Sequence, residues 1–177
     1  MQAVFVASTG GAQVAFVGAA ATRRAALTAA QRQRFSVWLR AAIAELEPAR
    51  RDGLVLTALE DLGAYQLADL GVAVTAAALR HNPSGHGHHN NLAYALYLAG
   101  RPAAEALPHA QWAERGAAGD FAAAAALDNL AAVRFAAGDV QGALHTQRRA
   151  LAATVSPSVQ ARTPPGLSLA RLAEFLL

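Results

Sequence analysis

The stretch DNLAAVRFAAGDVQGALHTQRRAL, residues 128–151, decides how this chain is read. It carries two apolar patterns with helical steps of three and four residues, separated by Gly138-Asp139. Glycine can adopt the left-handed conformation that closes a helix at its C-terminal end. Aspartate can accept hydrogen bonds from the first amides of the next helix. Ala131 and Ala143, on either side of the break, have so little bulk that two antiparallel helices can approach closely there. Ala150, with Leu144 and Leu151 nearby, suits a face that receives another hairpin.

The same arrangement occurs earlier. In NNLAYALYLAGRPAAEAL (90–107), Asn91-Leu92-Ala93 matches Asn129-Leu130-Ala131, and Gly100 matches Gly138, a period of 38 residues. Ala106-Leu107 then matches Ala143-Leu144 after one extra residue in the first copy, and Ala113 matches Ala150. A helix hairpin repeated at this period is the signature of an α-solenoid, in which each unit has too little apolar area to stand alone and stacking supplies the missing burial.

Leu92-Ala93, Gly100 and Ala106 with Ala113, and then Leu130-Ala131, Gly138-Asp139, Ala143 and Ala150, resemble the tetratricopeptide repeat (TPR) family. The resemblance spans 88–153, with weaker echoes at Leu62-Gly63 and at Leu169-Ala170. It implies an all-α, TPR-like helix-hairpin solenoid with a groove lined by the first helix of each hairpin. The groove positions outside the packing set are Asn90, Tyr94, Tyr97 and Leu98, then Asp128, Ala132, Phe135 and Ala136. Aromatics with a few polar groups suit an extended or helical peptide. The same helical spacing would equally place Tyr94, Tyr97 and Phe135 in a core covered by a neighbouring helix. The carboxylate clamp of some TPR proteins is not expected, because Tyr94 stands where that pattern has asparagine and the chain has no lysine.

The rest of the chain fits around these repeats. At 177 residues it suits one domain, and alanine supplies much of the 54% hydrophobic content. Alanine favours helix but buries little area per residue, so many close helix contacts are expected rather than a few large side chains. Residues 2–18 hold two β-rich runs around Thr9-Gly10-Gly11, which predicts a small N-terminal β-hairpin. Phe35, Trp38, Leu39, Ala42, Ile43 and Leu46 form one apolar stripe, which predicts a helix over 28–47 ended by Pro48. ARRDG (49–53) is expected as a polar turn. Helices are expected over 54–70, broken at Gly71, and then 71–80, 89–99, 103–115, 121–137 and 140–153. HNPSGHGHHNN (81–91) and SPSVQARTPPG (156–166) are expected as loops, and LSLARLAEFLL (167–177) as a capping helix. The organisation expected is therefore a hairpin plus amphipathic helix over 1–50 and repeats with their cap over 51–177.

Several function classes find little support. The chain has no cysteine, so thiolate metal sites and disulfides are excluded. His81, His86, His88 and His89 match no usual ligand spacing, so no metal or other cofactor is expected and the histidines are read as exposed on a solvated turn. No phosphate loop, nucleophile elbow or HExxH pair is present, and Glu45, Glu47, Glu60 and Asp61 read as helix-surface charges, so an enzyme is not expected. Residues 1–22 are uncharged, but STGGAQ interrupts the apolar run and no basic residue precedes it, so neither a leader nor a membrane anchor is expected.

The net charge is +3, and every basic residue apart from histidine is arginine, a bias that fits a GC-rich genome. Arg23, Arg24, Arg32, Arg34 and Arg40 lie in an acid-free stretch, which gives the alternative of a regulatory module touching nucleic acid, with the repeats as sensor or dimerisation arm. The leading expectation is a cytoplasmic scaffold that binds a protein or peptide partner. Self-association through the hairpin or the C-terminal helix is a further option.

Overall fold

The computed structural model describes residues 6–8, 11–13, 28–57, 59–64 and 66–154. The architecture is all-α: α1 (Ala29–Ala44), α2 (Pro48–Thr57), α3 (Leu59–Ala64), α4 (Ala68–His81), α5 (His86–Leu98), α6 (Ala103–Gly116), α7 (Asp120–Ala136) and α8 (Val140–Thr154). Two short strands precede them, β1 (Val6–Ser8) and β2 (Gly11–Gln13), paired antiparallel with Ala7 opposite Ala12. Thr9 and Gly10 between the strands, the loop expected over 156–166 and the capping helix expected over 167–177 lie outside the described residues.

Helix α1 begins where the sequence places it. The Thr28 hydroxyl accepts from the Gln31 amide, and the Gln31 side chain accepts from the Thr28 amide, a reciprocal cap on two otherwise orphaned donors. Leu39 and Ile43 of the stripe are buried, and Phe35 packs beside them.

Three expectations between 48 and 91 need correction. ARRDG lies inside α2, because Pro48 takes the first helical position, where its missing N–H costs nothing. The break expected at Gly71 falls instead between Ala64 and Ala68, and Gly71 sits inside α4. Its role there is close approach: a Cβ at Gly71 would lie 2.5 Å from the Leu59 side chain. HNPSGHGHHNN is a loop only at 82–85, with α5 already running from His86.

The turns that close α3, α5 and α7 share one design. At α5, Gly100 donates to the Tyr97 carbonyl and Arg101 to the Leu96 carbonyl. At α7, Gly138 donates to the Phe135 carbonyl and Asp139 to the Arg134 carbonyl. Both glycines have positive φ, 64° and 82°, and both turns are Schellman caps. The α3 turn has the same two bonds, Gln66 to Gly63 and Leu67 to Leu62, with Gln66 at φ 61° in the place of glycine. Leu62 therefore corresponds to Leu96 rather than to Leu92. A glutamine at the position normally read as glycine is what hides this copy in the sequence.

With the caps aligned, the following helices align too. Gly71, Ala106 and Ala143 are small residues where the two helices of a hairpin meet, and Ala106 and Ala143 are fully buried. Asp139 caps α8 by accepting from the Gly142 amide at 2.9 Å, as expected. Helices α5 and α6 run antiparallel, since His86 at the start of α5 meets Trp112 near the end of α6. Helices α7 and α8 do the same, with Arg134 at the end of α7 donating to Thr146 and to the Gly142 carbonyl near the start of α8. Across hairpins, α5 lies along α7: the Asn129 side-chain amide donates to Asn90 at 3.0 Å, and Leu92 and Leu96 share a cluster with Leu130 and Val133. Residues of α1 to α5 share another cluster, centred on Leu39, Val55, Leu59 and Leu62, so the boundary expected at residue 50 falls inside α2.

Candidate functional site

The helices α5 and α7 place the residues that the sequence nominates for a groove. Tyr94 and Tyr97 are both half-buried, one helical turn apart, and their rings stack with centroids 6.2 Å apart. Tyr94 packs on the leucine cluster below, and Tyr97 on the cluster shared with α7. Beside Tyr97 lies an open concavity of about 440 Å³, walled by Gly100, Arg101, Pro102, Ala103, Ala106, Val133 and Ala136. It exists because the Gly100 cap turns the chain sharply at the end of α5, while Val133 and Ala136 present little bulk from the neighbouring hairpin. Arg101 stands at its edge in a bidentate pair with Glu105, both side chains substantially exposed.

The remaining nominated residues separate. Asn90 is half-buried and accepts from Asn129, so it ties two hairpins together. Leu98 is half-buried and closes over Gly63, where an added Cβ would lie 3.1 Å from Leu98 Cβ. Asp128 is buried and accepts from the Gln147 amide at 2.7 Å, a polar link inside the α7–α8 pair rather than on an open face. Phe135 is half-buried and packs with Leu144 on Ala131 and Ala143. Ala132 is fully buried, whereas Ala136 is exposed. Tyr97 and Ala136 thus line one concavity, with Tyr94 stacked on Tyr97, while Asn90, Asp128 and Phe135 are engaged in joining helices.

Two features escaped the sequence reading. The concavity depends on Arg101, Pro102 and Val133, which belong to a turn and to a core position and carry no motif. The second is an imidazole and indole cluster at the other end of α5. His89 Nδ1 meets His109 Nδ1 at 2.7 Å, and His89 Nε2 meets the Pro83 carbonyl at 2.9 Å. The Trp112 ring lies 5.3 Å from His89, with the Arg115 guanidinium 5.7 Å above it. His81 and His86 are exposed, as the sequence reads them, whereas the early start of α5 aims His89 at α6. Burial, and then the charge of His89, hold His109 below the ordinary histidine value.

A smaller concavity of about 400 Å³ lies between α1 and the Gln66 turn, lined in part by Gln33, Val37, Arg40 and Leu67. Arg40 is paired with Asp69 at 2.8 Å. That hydrogen bond raises the arginine further and lowers the aspartate below its usual value. Of the basic residues in the nucleic-acid alternative, Arg34 is exposed and Arg40 is engaged in this pair, whereas Arg23, Arg24 and the Arg32 side chain lie outside the described residues.

Among the described residues, no set of three or more histidines and carboxylates is placed to hold a metal ion. Among them, too, no helix is long and apolar enough to cross a membrane. No family model matches the chain, and no curated protein or solved structure matches it significantly.

Proposed function

We propose that residues 59–154 form a TPR-like α-solenoid of three hairpins, with the β1–β2 pair as a small N-terminal hairpin, and that it serves in the cytoplasm as a scaffold for a protein partner. The partner contributes an extended or helical peptide that lies across α5 and α7. The observation that carries this reading is the stacked, half-exposed Tyr94–Tyr97 pair, of which Tyr97 lines the concavity beside Gly100 and Val133. Two aromatic faces next to a pocket of this size suit one apolar anchor side chain, with Arg101 available to a carbonyl or carboxylate nearby. The thrice-repeated cap supports the solenoid, because stacked units with one turn design are what a repeat architecture requires.

A displayed peptide library selected on the full chain, followed by chemical-shift mapping, tests the proposal. Selected peptides are expected to move the Tyr94, Tyr97, Arg101 and Val133 amides and to lose about tenfold or more in affinity with Tyr97→Ala. A library without binders, or binders that map elsewhere and ignore Tyr97→Ala, would overturn it.

A further inference from the structure

We propose that His89 and His109 form a proton-operated clasp on the α5–α6 hairpin, closed while the two facing nitrogens share one hydrogen and opened when each ring carries its own. The Pro83 carbonyl only accepts, so His89 Nε2, 2.9 Å away, carries a hydrogen. In the neutral ring that makes His89 Nδ1 an acceptor. His109 Nδ1, 2.7 Å from it, must then be the donor. The tautomers of both rings are thereby fixed.

The closed clasp has room for one hydrogen between the rings. A first added proton can leave one hydrogen between the facing nitrogens and the bridge intact. A second gives each ring both of its hydrogens, which sets two N–H groups on two cations against each other across 2.7 Å. That arrangement cannot persist, so the rings must part.

Little around the pair offsets the second charge. The Pro83 turn offers only its carbonyl, and the His86 ring on α5 faces the Trp112 carbonyl. On α6, Arg115 sits over Trp112, and Glu105, one turn before His109, is held by Arg101. On α7, Asp128 is held by Gln147 and Arg134 donates to Thr146. Burial and the His89 charge are what act on His109, and both disfavour its cation.

The consequence is local. Parting the rings releases the first turn of α5 from the Pro83 turn and frees the Trp112 face, at the opposite end of α5 from Tyr97. The clasp therefore stands or falls independently of the groove. The sign of the linkage follows from the depressed folded-state value. The unfolded chain binds the His109 proton near the ordinary value of 6.5, before the folded chain does. Stability is full above that pH and is lost as the pH falls from there toward the folded-state value.

Imidazole nitrogen NMR on the full wild-type chain tests this directly. At neutral pH, His89 should be Nε2-protonated and His109 Nδ1-protonated, and acid should break the Nδ1–Nδ1 bridge once both rings are fully protonated. In parallel, the folding equilibrium constant should fall at least about threefold more in the wild type than in His109→Gln between about pH 7.5 and 5. If that variant does not fold, the wild-type spectra decide. Other tautomers, or a bridge that survives full protonation of both rings, would overturn the clasp.

Discussion

The α1–α3 region and the α5–α8 region are both helical and both buried, yet different side chains hold them. In the first, Leu39, Ile43, Val55, Leu59 and Leu62 fill the space between helices. In the second, Ala93, Ala106, Ala110, Ala131 and Ala143 are all essentially fully buried, beside Leu92, Leu96 and Leu130. Bulky side chains keep helix axes apart and tolerate modest errors in their placement. Alanine stabilises a contact only where the backbones come close, so the turn must set the approach. The difference is visible in the caps: the α3 turn carries Gln66 at φ 61°, whereas the α5 and α7 turns carry glycine. Both residue types reach the same left-handed turn, glutamine at a cost in strain that glycine avoids.

The largest expected effect comes from emptying the leucine-held region. Leu62→Ala removes a side chain with no exposed surface and should cost about 2–5 kcal/mol in urea unfolding. The opposite change should be the damaging one in the alanine-held region. Ala143→Leu places three extra carbons against Ala131, and overpacking of this kind costs about 1–3 kcal/mol. A cavity-sized loss without an overpacking loss, or the reverse, would show that the two regions are built alike.

A pair of cap substitutions sharpens the contrast at smaller magnitude. Gly138→Gln forces a side chain into a left-handed turn and should cost about 1 kcal/mol, while Gln66→Gly relieves the same strain and should gain about 0.5–1 kcal/mol. Thermal unfolding of both variants against the wild type reads the two signs.

Much of the second region was legible because its signals are local. Gly138, Asp139 and the alanines each act through their own backbone or their nearest helix, and the structure places them as read. The first hairpin was misregistered because Gln66 does a job that sequence reading assigns to glycine, and Gly71 looked like a helix end when it makes room for Leu59. At the candidate site, Tyr94 and Tyr97 were nominated through the resemblance, because helical spacing alone fits a groove and a core equally well. Asp128 was not, because its partner Gln147 is nineteen residues away and no short-range pattern announces a buried carboxylate–amide pair. The His89–His109 contact was hidden for the same reason, compounded by a glycine-rich segment that starts a helix sooner than its composition suggests.

The central claim is that alanine-faced hairpins hold one another by stacking, so that damage inside one is felt in its neighbour. Amide hydrogen exchange on wild type and Ala143→Leu tests it most directly. The account predicts lost protection in α5 and α6 as well as in α7 and α8, because the α5–α7 contact through Leu92, Leu130 and Val133 depends on the second hairpin being closed. Protection lost in α7 and α8 alone, with α5 and α6 unchanged, would contradict it.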